Sequence, residues 1–490
     1  MPFRRRSYWC RHIAWAFLLL PGFSKAAIFE EIPGSIEATA VSADGSTVVG
    51  QQVTGPSKMA VRWRRGGSII DELGDFPGGS VDSRPTAVSA DGSIVAGTSE
   101  YDEYEYVDPF FGDISLVELD AAFRWTEQGG LEHLESLPSG TSHSGTSVIT
   151  PDGSTILGGI NGAPFRWTPS AGIELLPHHP VSDRGTLHGV SGISADGSII
   201  VGQGSPFSDS SPGGPVAFRW TEAGGVEKLA GPGVSGFIPG ASGLGISDDG
   251  AVIFGTQQIA ISSGFHFRPF LWTDDAKYEP VLRDLPTGQS VELTDTDADG
   301  SVFVGQHRVF QSGWIHRAVL WTPDNGLVFL DDWLTATFGV DLTGWKLTNA
   351  VGVSADGTVI VGTGINPDLQ TTSWLIQLPA AALPGDYNAD GHVDAADYTV
   401  WRNLFGAANS MPNDMTPGLV GYEDLRAWAS HYGTSLTIAS DFSAGSTIPE
   451  PSSLWLLFTA CGGAIARAAP RAQSHRCPRR GGCVLAAQSS

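Results

Sequence analysis

From residue 36 to residue 379 the apolar positions come in short, mostly β-branched runs, and small or polar turn residues interrupt them at brief intervals. Runs this short, bounded by Gly, Asp and Ser, predict strands and not helices. The stretch Ala40-Val41-Ser42-Ala43-Asp44-Gly45-Ser46-Thr47-Val48-Val49-Gly50 shows the pattern in full. It recurs seven times, with its Asp-Gly pairs at Asp44, Asp91, Asp152, Asp196, Asp249, Asp299 and Asp356. Asp-Gly supplies the positive φ that a tight turn between twisted strands requires, so each copy reads as strand, turn, strand. A second phrase follows every copy and ends on Trp63, Trp125, Trp167, Trp220, Trp272, Trp321 and Trp374, as in Phe123-Arg124-Trp125-Thr126. A Gly-rich turn and a Leu-x-x-Leu run come next, which makes about four strands per unit at a blade-like period. The fold expected is mainly β, a seven-bladed β-propeller.

The ends of the repeat array complement each other. Residues 28 to 33, Ile28-Phe29-Glu30-Glu31-Ile32-Pro33, match the Leu-x-x-Leu-Pro strand that ends other units, and the seventh unit lacks that strand after Trp374. An N-terminal strand is therefore expected to close the ring and remove its free sheet edges. From each repeat Asp to its own Trp the count is 19, 34, 15, 24, 23, 22 and 18 residues, against 28, 27, 29, 29, 27 and 35 from Trp to the next Asp. Insertions thus gather between the second and third strands, on one rim, where propellers usually bind. The longest one holds Tyr101-Asp102-Glu103-Tyr104-Glu105-Tyr106 and reads as a solvated acidic loop.

Charge narrows the partners. Residues 1–26 and 451–490 hold ten of the 28 Lys and Arg and none of the 52 acidic residues, so residues 27–450 carry a net charge of −34. Such a body repels nucleic acid and anionic lipid. All four cysteines, Cys10, Cys461, Cys477 and Cys483, lie outside the repeats. Residues 1–26 run from Arg4, Arg5, Arg6 and Arg11 through apolar Ile13 to Leu20 to Ser24-Lys25-Ala26, the order of a secretory signal peptide. No nucleophile elbow, zinc-protease helix or phosphate loop is present, so no catalytic residue is assigned.

On the Phe-Arg-Trp-Thr phrases, the Ser-Ala-Asp-Gly turns and the run Gly344-Trp345-Lys346-Leu347-Thr348-Asn349-Ala350, residues 36 to 379 resemble the HAF-type extracellular repeats of bacteria. That resemblance implies a secreted, propeller-like body and passes on no catalytic residues. After the linker 380–385, Asp386-Tyr387-Asn388-Ala389-Asp390-Gly391-His392-Val393-Asp394-Ala395-Ala396-Asp397 follows the calcium-loop pattern, with oxygens at positions 1, 3, 5, 7, 9 and 12 and Gly at 6. With the helix-like residues 398–405 it resembles the first half of a type I dockerin, a calcium-binding module that attaches secreted proteins to cohesin partners. The expected metal set is Asp386, Asn388, Asp390, Asp397, the His392 carbonyl and Asp394 directly or through water. Aligning residues 420–428 with 393–401 matches Asp424 to Asp397 and Trp428 to Trp401, and puts Asn413, Met415 and Pro417 at positions 1, 3 and 5. Met and Pro offer no side-chain oxygen, so one calcium is expected and not two.

Residues 449–467, with Pro449-Glu450-Pro451, an apolar run and Arg467, resemble a PEP-CTERM sorting signal, which implies transient membrane association. The domain order expected is signal peptide 1–26, propeller 27–379, linker 380–385, a small α-helical EF-hand-like module 386–436, linker 437–448, sorting signal 449–467 and basic tail 468–490. A further calcium site is conceivable at Asp295, Asp297 and Asp299, three acids on alternate positions before Gly300. The functional expectation is a secreted, cell-surface or exopolysaccharide-associated propeller that binds or scaffolds extracellular ligands. Its partners would be a cohesin-like protein or an extracellular polysaccharide. The alternative is a polysaccharide hydrolase or lyase carried on the same module.

Overall fold

The computed structural model of the chain describes residues 27–434 apart from 108–113, 135–142, 177–186, 205–215, 230, 232–240, 262–263, 283–288, 311–313, 324, 380–382, 389–391, 409–410 and 414–417. The expected signal peptide, the linker 437–448, the sorting signal and the basic tail lie outside the described residues. Strands between residues 28 and 377 form seven antiparallel sheets of four strands each, the blades of a β-propeller. Blade 1 runs outward from the axis through Ile36–Val41, Thr47–Thr54, Ser57–Arg64 and Ile70–Gly74. Its inner strand alternates buried and exposed positions, whereas its second strand begins with five buried residues in a row, because neighbouring blades cover both of its faces.

Ring closure follows the expectation. Blade 7 takes Lys346–Val353, Val359–Ile365 and Thr371–Gln377 from the end of the array and Ile28–Glu31 from its start. Ile28 pairs with Gln377 and Glu31 with Trp374, and the Ile32 N–H continues the ladder to the Ser373 carbonyl at 2.9 Å. Ile32 is fully buried among Ile36, Val361 and Leu375.

The repeated phrases have local causes. In six blades a Ser or Thr two residues before the turn Asp donates its hydroxyl to that carboxylate, as Ser42 does to Asp44 at 2.5 Å and Ser194 to Asp196 at 2.6 Å. The same hydroxyl accepts the N–H that starts the second strand, as from Thr47 at 2.9 Å. Each turn thus satisfies its own backbone. The Gly of Val-Val-Gly answers a different demand. The inner strands carry bulges, for instance between Ala38 and Ala40, that push a carbonyl over the second strand. A Cβ at Gly50 would lie 2.4 Å from the Glu37 carbonyl oxygen, and one at Gly202 would lie 2.1 Å from that of Gly189. The Arg of Phe-Arg-Trp stitches blades together: Arg62 pairs with Asp71 at 2.8 Å and lies 4.5 Å from the ring centre of Trp125 in blade 2. Arg219 repeats the arrangement with Glu227 and with Trp272 of blade 5.

Two expectations are corrected in detail. The stretch Tyr101 to Tyr106 is not a loop, because Ile94–Val107 pairs with Ile114–Thr126 without interruption from Tyr104 to Val107 and extends blade 2 as a hairpin. Its alternation of aromatics and acids is itself a strand period. The long gap from Trp321 to Asp356 holds helix α1, Leu330–Phe338, which buries Leu330 and Leu334 in the blade 6–7 core and ends on Gly339 at φ 67°. Two further helices, α2 at Ala395–Leu404 and α3 at Tyr422–His431, form the C-terminal module.

Candidate functional site

All seven inner strands face one axial channel of about 270 Å³. Its wall is made of Ala, Val, Ile, Ser and Thr, with Phe254 as the one aromatic among the described lining residues. Hydroxyls tie blade to blade along it: Thr39 donates to the Pro85 carbonyl at 2.9 Å, Thr294 to that of Ala350 at 2.6 Å, and the Thr86 and Thr146 hydroxyls meet at 2.6 Å. At the Asp-Gly end a collar of backbone hydrogen bonds runs round the ring. The N–H groups of Asp44, Ala90, Ala195, Asp248, Ala298 and Ala355 donate to the carbonyls of Ala90, Pro151, Asp248, Ala298, Ala355 and Ala43, at 2.7 to 3.1 Å. The link from blade 3 to blade 4 would need an N–H at Pro151, which has none.

Three carboxylates interrupt this neutral wall. Asp248 of blade 5 stands where the other blades have Ala43, Ala90, Pro151, Ala195, Ala298 and Ala355. Asp295 of blade 6 occupies the bulge, where the others have Ala40, Ala87, Val148, Gly192, Gly245 and Gly352, and its Oδ2 accepts the Val353 N–H of blade 7 at 2.9 Å. Asp297 replaces the turn Ser or Thr, and its carboxylate accepts the Val302 N–H at 2.9 Å and the Ser301 hydroxyl at 2.7 Å. Burial, reinforced by Asp248 and Asp297, pushes the Asp295 carboxyl up to about 7. Burial, with Asp249 and Asp297 beside it, pushes Asp248 up to about 6. Burial also raises Asp297. Asp299, grouped with Asp295 and Asp297 in the sequence, is exposed on the turn, accepts the Ser301 N–H at 3.0 Å and does not line the channel. The sequence reading missed Asp248. Comparing each repeat position by position, and noting an acid where five of the other copies carry Ala and one carries Pro, would have found it.

The C-terminal module is a duplicated unit with an internal repeat of 27 residues. Trp401 in α2 donates its indole N–H to the Gly421 carbonyl at the start of α3, and Trp428 in α3 donates to the Asp394 carbonyl at the start of α2, both at 2.7 Å. Gly406 donates to Val420 and Gly433 to Val393, both at 2.8 Å. Each helix carries its own N-terminal acid: Asp397 accepts the Asp394 N–H at 2.8 Å and Asp424 accepts the Gly421 N–H at 2.6 Å. The alignment of Asp424 with Asp397 and of Trp428 with Trp401 holds in three dimensions.

Of the expected metal residues, Asp386 and Asp397 are buried, while Asn388, His392 and Asp394 are exposed. Asp390 lies outside the described residues. Asp397 gathers the loop: its Oδ1 accepts the N–H groups of Tyr387 at 2.7 Å and Asn388 at 3.0 Å, and its Oδ2 takes that of Asp394. Asp394 caps α2 by accepting the Ala396 N–H at 2.6 Å. Asn413 donates to the Asp386 carbonyl at 3.0 Å and to its carboxylate at 3.3 Å. Among the described residues no three His, Cys, Asp or Glu side chains group closely enough to hold a metal ion.

No protein-family model matches the chain, and no curated protein matches it. Among solved structures it is similar to TolB from Acinetobacter baumannii, with 13% identity over 61% of this chain and 63% of that one, at a TM-score of 0.33. It is similar to Porphyromonas gingivalis dipeptidyl peptidase 4, with 10% identity, coverage of 72% and 53%, and a TM-score of 0.40. It is also similar to oligogalacturonate lyase from Vibrio parahaemolyticus, with 10% identity, coverage of 72% and 97%, and a TM-score of 0.46. The chain thus spans about half to two thirds of the first two relatives and nearly all of the third. From its own strand pairing, this chain is a seven-bladed β-propeller followed by a duplicated two-helix module.

Proposed function

We propose that this protein is a secreted, cell-surface or exopolysaccharide-associated propeller of the HAF-like kind that binds extracellular ligands, and that it docks through a calcium-dependent, dockerin-like module at residues 386–436. The observation that carries the docking part is the duplicated module, whose first loop keeps an all-oxygen donor set while Asn413 of the second turns toward Asp386. Hard oxygen donors in a twelve-residue loop with a central Gly suit calcium. One ion would be held by Asp386, Asn388, Asp390 and Asp397, by the His392 carbonyl, and by Asp394 directly or through water. Calcium would neutralise the loop acids and so couple binding to folding.

The propeller supports binding over catalysis. Ligand pockets begin at roughly 300 Å³, and they stack their ligands on aromatic walls. At about 270 Å³ the axial channel is close to the lower end of that range, and its wall of small aliphatic and hydroxyl side chains offers one aromatic, Phe254, among the described lining residues. The rim opposite the Asp-Gly turns is better suited to a ligand. There the blade 6 hairpin ends on Phe310 and Trp314, 60% and 59% exposed, with ring centres 5.4 Å apart. Exposed aromatic faces of this kind stack on sugar rings.

Retention of the purified full chain by a panel of bacterial exopolysaccharides, with release of sugars followed in parallel, tests the reading. Binding without release supports it. Release of oligosaccharide would replace it with the hydrolase or lyase alternative, and neither binding nor release would refute the polysaccharide partner.

A further inference from the structure

On the rim opposite the Asp-Gly turns, blade 6 carries side chains that its fold does not call for. Strand pairing places Gln306 opposite Glu292 and Ala318, Arg308 opposite Ser290 and His316, and Phe310 opposite Trp314. Alternation along a strand then puts Glu292, Gln306, Arg308, His316, Phe310 and Trp314 on one face of the hairpin, a row about 13 Å long from Gln306 to the tip. The positions that match Gln306 and Arg308 are Gln51 and Val53 in blade 1, Thr256 and Gln258 in blade 5, and Thr363 and Ile365 in blade 7. Those hairpins pair without such a row. Within the row each group holds the next: Arg308 ion-pairs with Glu292, Gln306 donates its amide N–H to Glu292 Oε2 at 3.2 Å, and His316 Nδ1 lies 3.2 Å from Gln306 Oε1. Glu292 and Arg308 are nevertheless 27% and 28% exposed, so the row is fixed in place and still reachable from solvent. The Arg308 guanidinium lies 5.9 Å from the ring centre of Phe267, which sets the row beside the blade 5–6 junction.

These groups have bonding capacity left. A histidine that donates Nδ1–H to Gln306 presents Nε2 as an acceptor, the Gln306 amide has a second N–H, and the Glu292 carboxylate has further lone pairs. Donors and acceptors that follow one another along a line match neighbouring sugar hydroxyls, each of which both donates and accepts. The two exposed rings at the end of the line offer apolar faces to the C–H surface of a sugar. Charge sets the class of sugar. Glu292 neutralises the one arginine of the row, and residues 27–450 carry a net charge of −34, so a polyanion is repelled where an uncharged polymer is not. We propose that this face of blade 6 is the glycan-binding surface and that its ligand is a neutral polysaccharide, stacked on Phe310 and Trp314 and hydrogen-bonded by Gln306, His316 and Glu292. The inference rests on the polysaccharide reading of the propeller and narrows it. Because the row is already held by its own bonds, little side-chain freedom is lost when the ligand arrives.

Affinity electrophoresis of the full chain through gels that hold a neutral β-glucan, a neutral galactomannan or a polyuronate is the test. At low salt, retardation by a neutral polymer and none by the polyuronate is expected. Gln306→Ala and His316→Ala should each weaken retardation about fivefold, the worth of one hydrogen bond. Gln203→Ala, at the matching position of blade 4, should leave it unchanged. Melting temperatures show which variants are folded, and should one of the two blade 6 variants fail to fold, the other carries the test. A neutral polymer held equally by the wild type and the folded blade 6 variants overturns this face and leaves the polysaccharide reading standing. Retardation by the polyuronate alone overturns the neutral class and also leaves that reading standing. Retardation by none of the three overturns the polysaccharide reading itself, and this inference with it.

Discussion

The Ile32→Ala substitution tests how the ring is closed. Ile32 follows the strand Ile28–Glu31, is fully buried in the blade 7–blade 1 core and donates its N–H to Ser373. Replacing it with Ala removes three carbons and leaves a cavity bounded by Ile36, Val361 and Leu375, while the backbone bond remains. Such truncations cost about 2 to 5 kcal/mol, and about 3 is a reasonable value where neighbouring strands prevent collapse. An unfolding entropy of about 2.1 cal/mol/K per residue over roughly 350 residues gives about 0.74 kcal/mol/K, so the melting temperature should fall by about 4 °C. The control is Ile28→Ala in the same strand, where the side chain is 54% exposed and the loss should stay within about 1 °C. Scanning calorimetry on both variants is the assay, with hydrogen exchange at residues 371–377 to localise the loss. Equal shifts for the two variants, or loosening elsewhere with residues 371–377 unchanged, would refute closure by this strand.

Three further outcomes follow. Gly202→Ala should destabilise the protein by about 1 to 3 kcal/mol, because its Cβ would meet the Gly189 carbonyl oxygen and the strand must shift; Gly225→Ala in a turn with open space is the comparison, its loss coming from backbone strain alone. Asp196→Ala should cost at most about 1 kcal/mol at neutral pH, since the turn is largely exposed. Hydrogen bonds from Ser194 and Ser198 hold its carboxyl below the usual range, so that stabilisation is present above the unfolded value near 3.8 and should vanish in denaturant titrations as pH falls through the lower folded value. Trp314→Ala should weaken retention by exopolysaccharide about tenfold while leaving the melting temperature within about 1 °C, and unchanged retention would remove the blade 6 tip from the binding surface.

The ring was legible because its repeats state the same solution seven times. Asp-Gly turns, Trp-ending strands and a missing last strand together left one topology, and Ile28–Glu31 fills the gap as expected. Insertions were legible in position but not in form, since a count of residues cannot separate a loop from the hairpin extension at Ile94–Val107 or from α1. The glycine of Val-Val-Gly was visible as a repeated letter, yet its cause lies in a carbonyl displaced by a bulge on the adjacent inner strand, and bulges leave no local sequence mark. The channel carboxylates were half visible: Asp295 and Asp297 drew notice as neighbours of Asp299, whereas the partner that faces them, Asp248, comes from another blade. In the module, the register of Asp424 on Asp397 was readable from spacing. The reciprocal bonds of Trp401 and Trp428 needed the fold.

Calorimetric titration of calcium into the full chain bears on the proposed docking function more immediately than any other experiment. One equivalent is expected, with loss of the heat in Asp386→Ala and a calcium-dependent gain in protection of α2 and α3 against hydrogen exchange. Two equivalents would show that the second loop, through Asn413, binds after all. No binding, with α2 and α3 equally protected in chelator, would contradict the calcium-dependent module altogether.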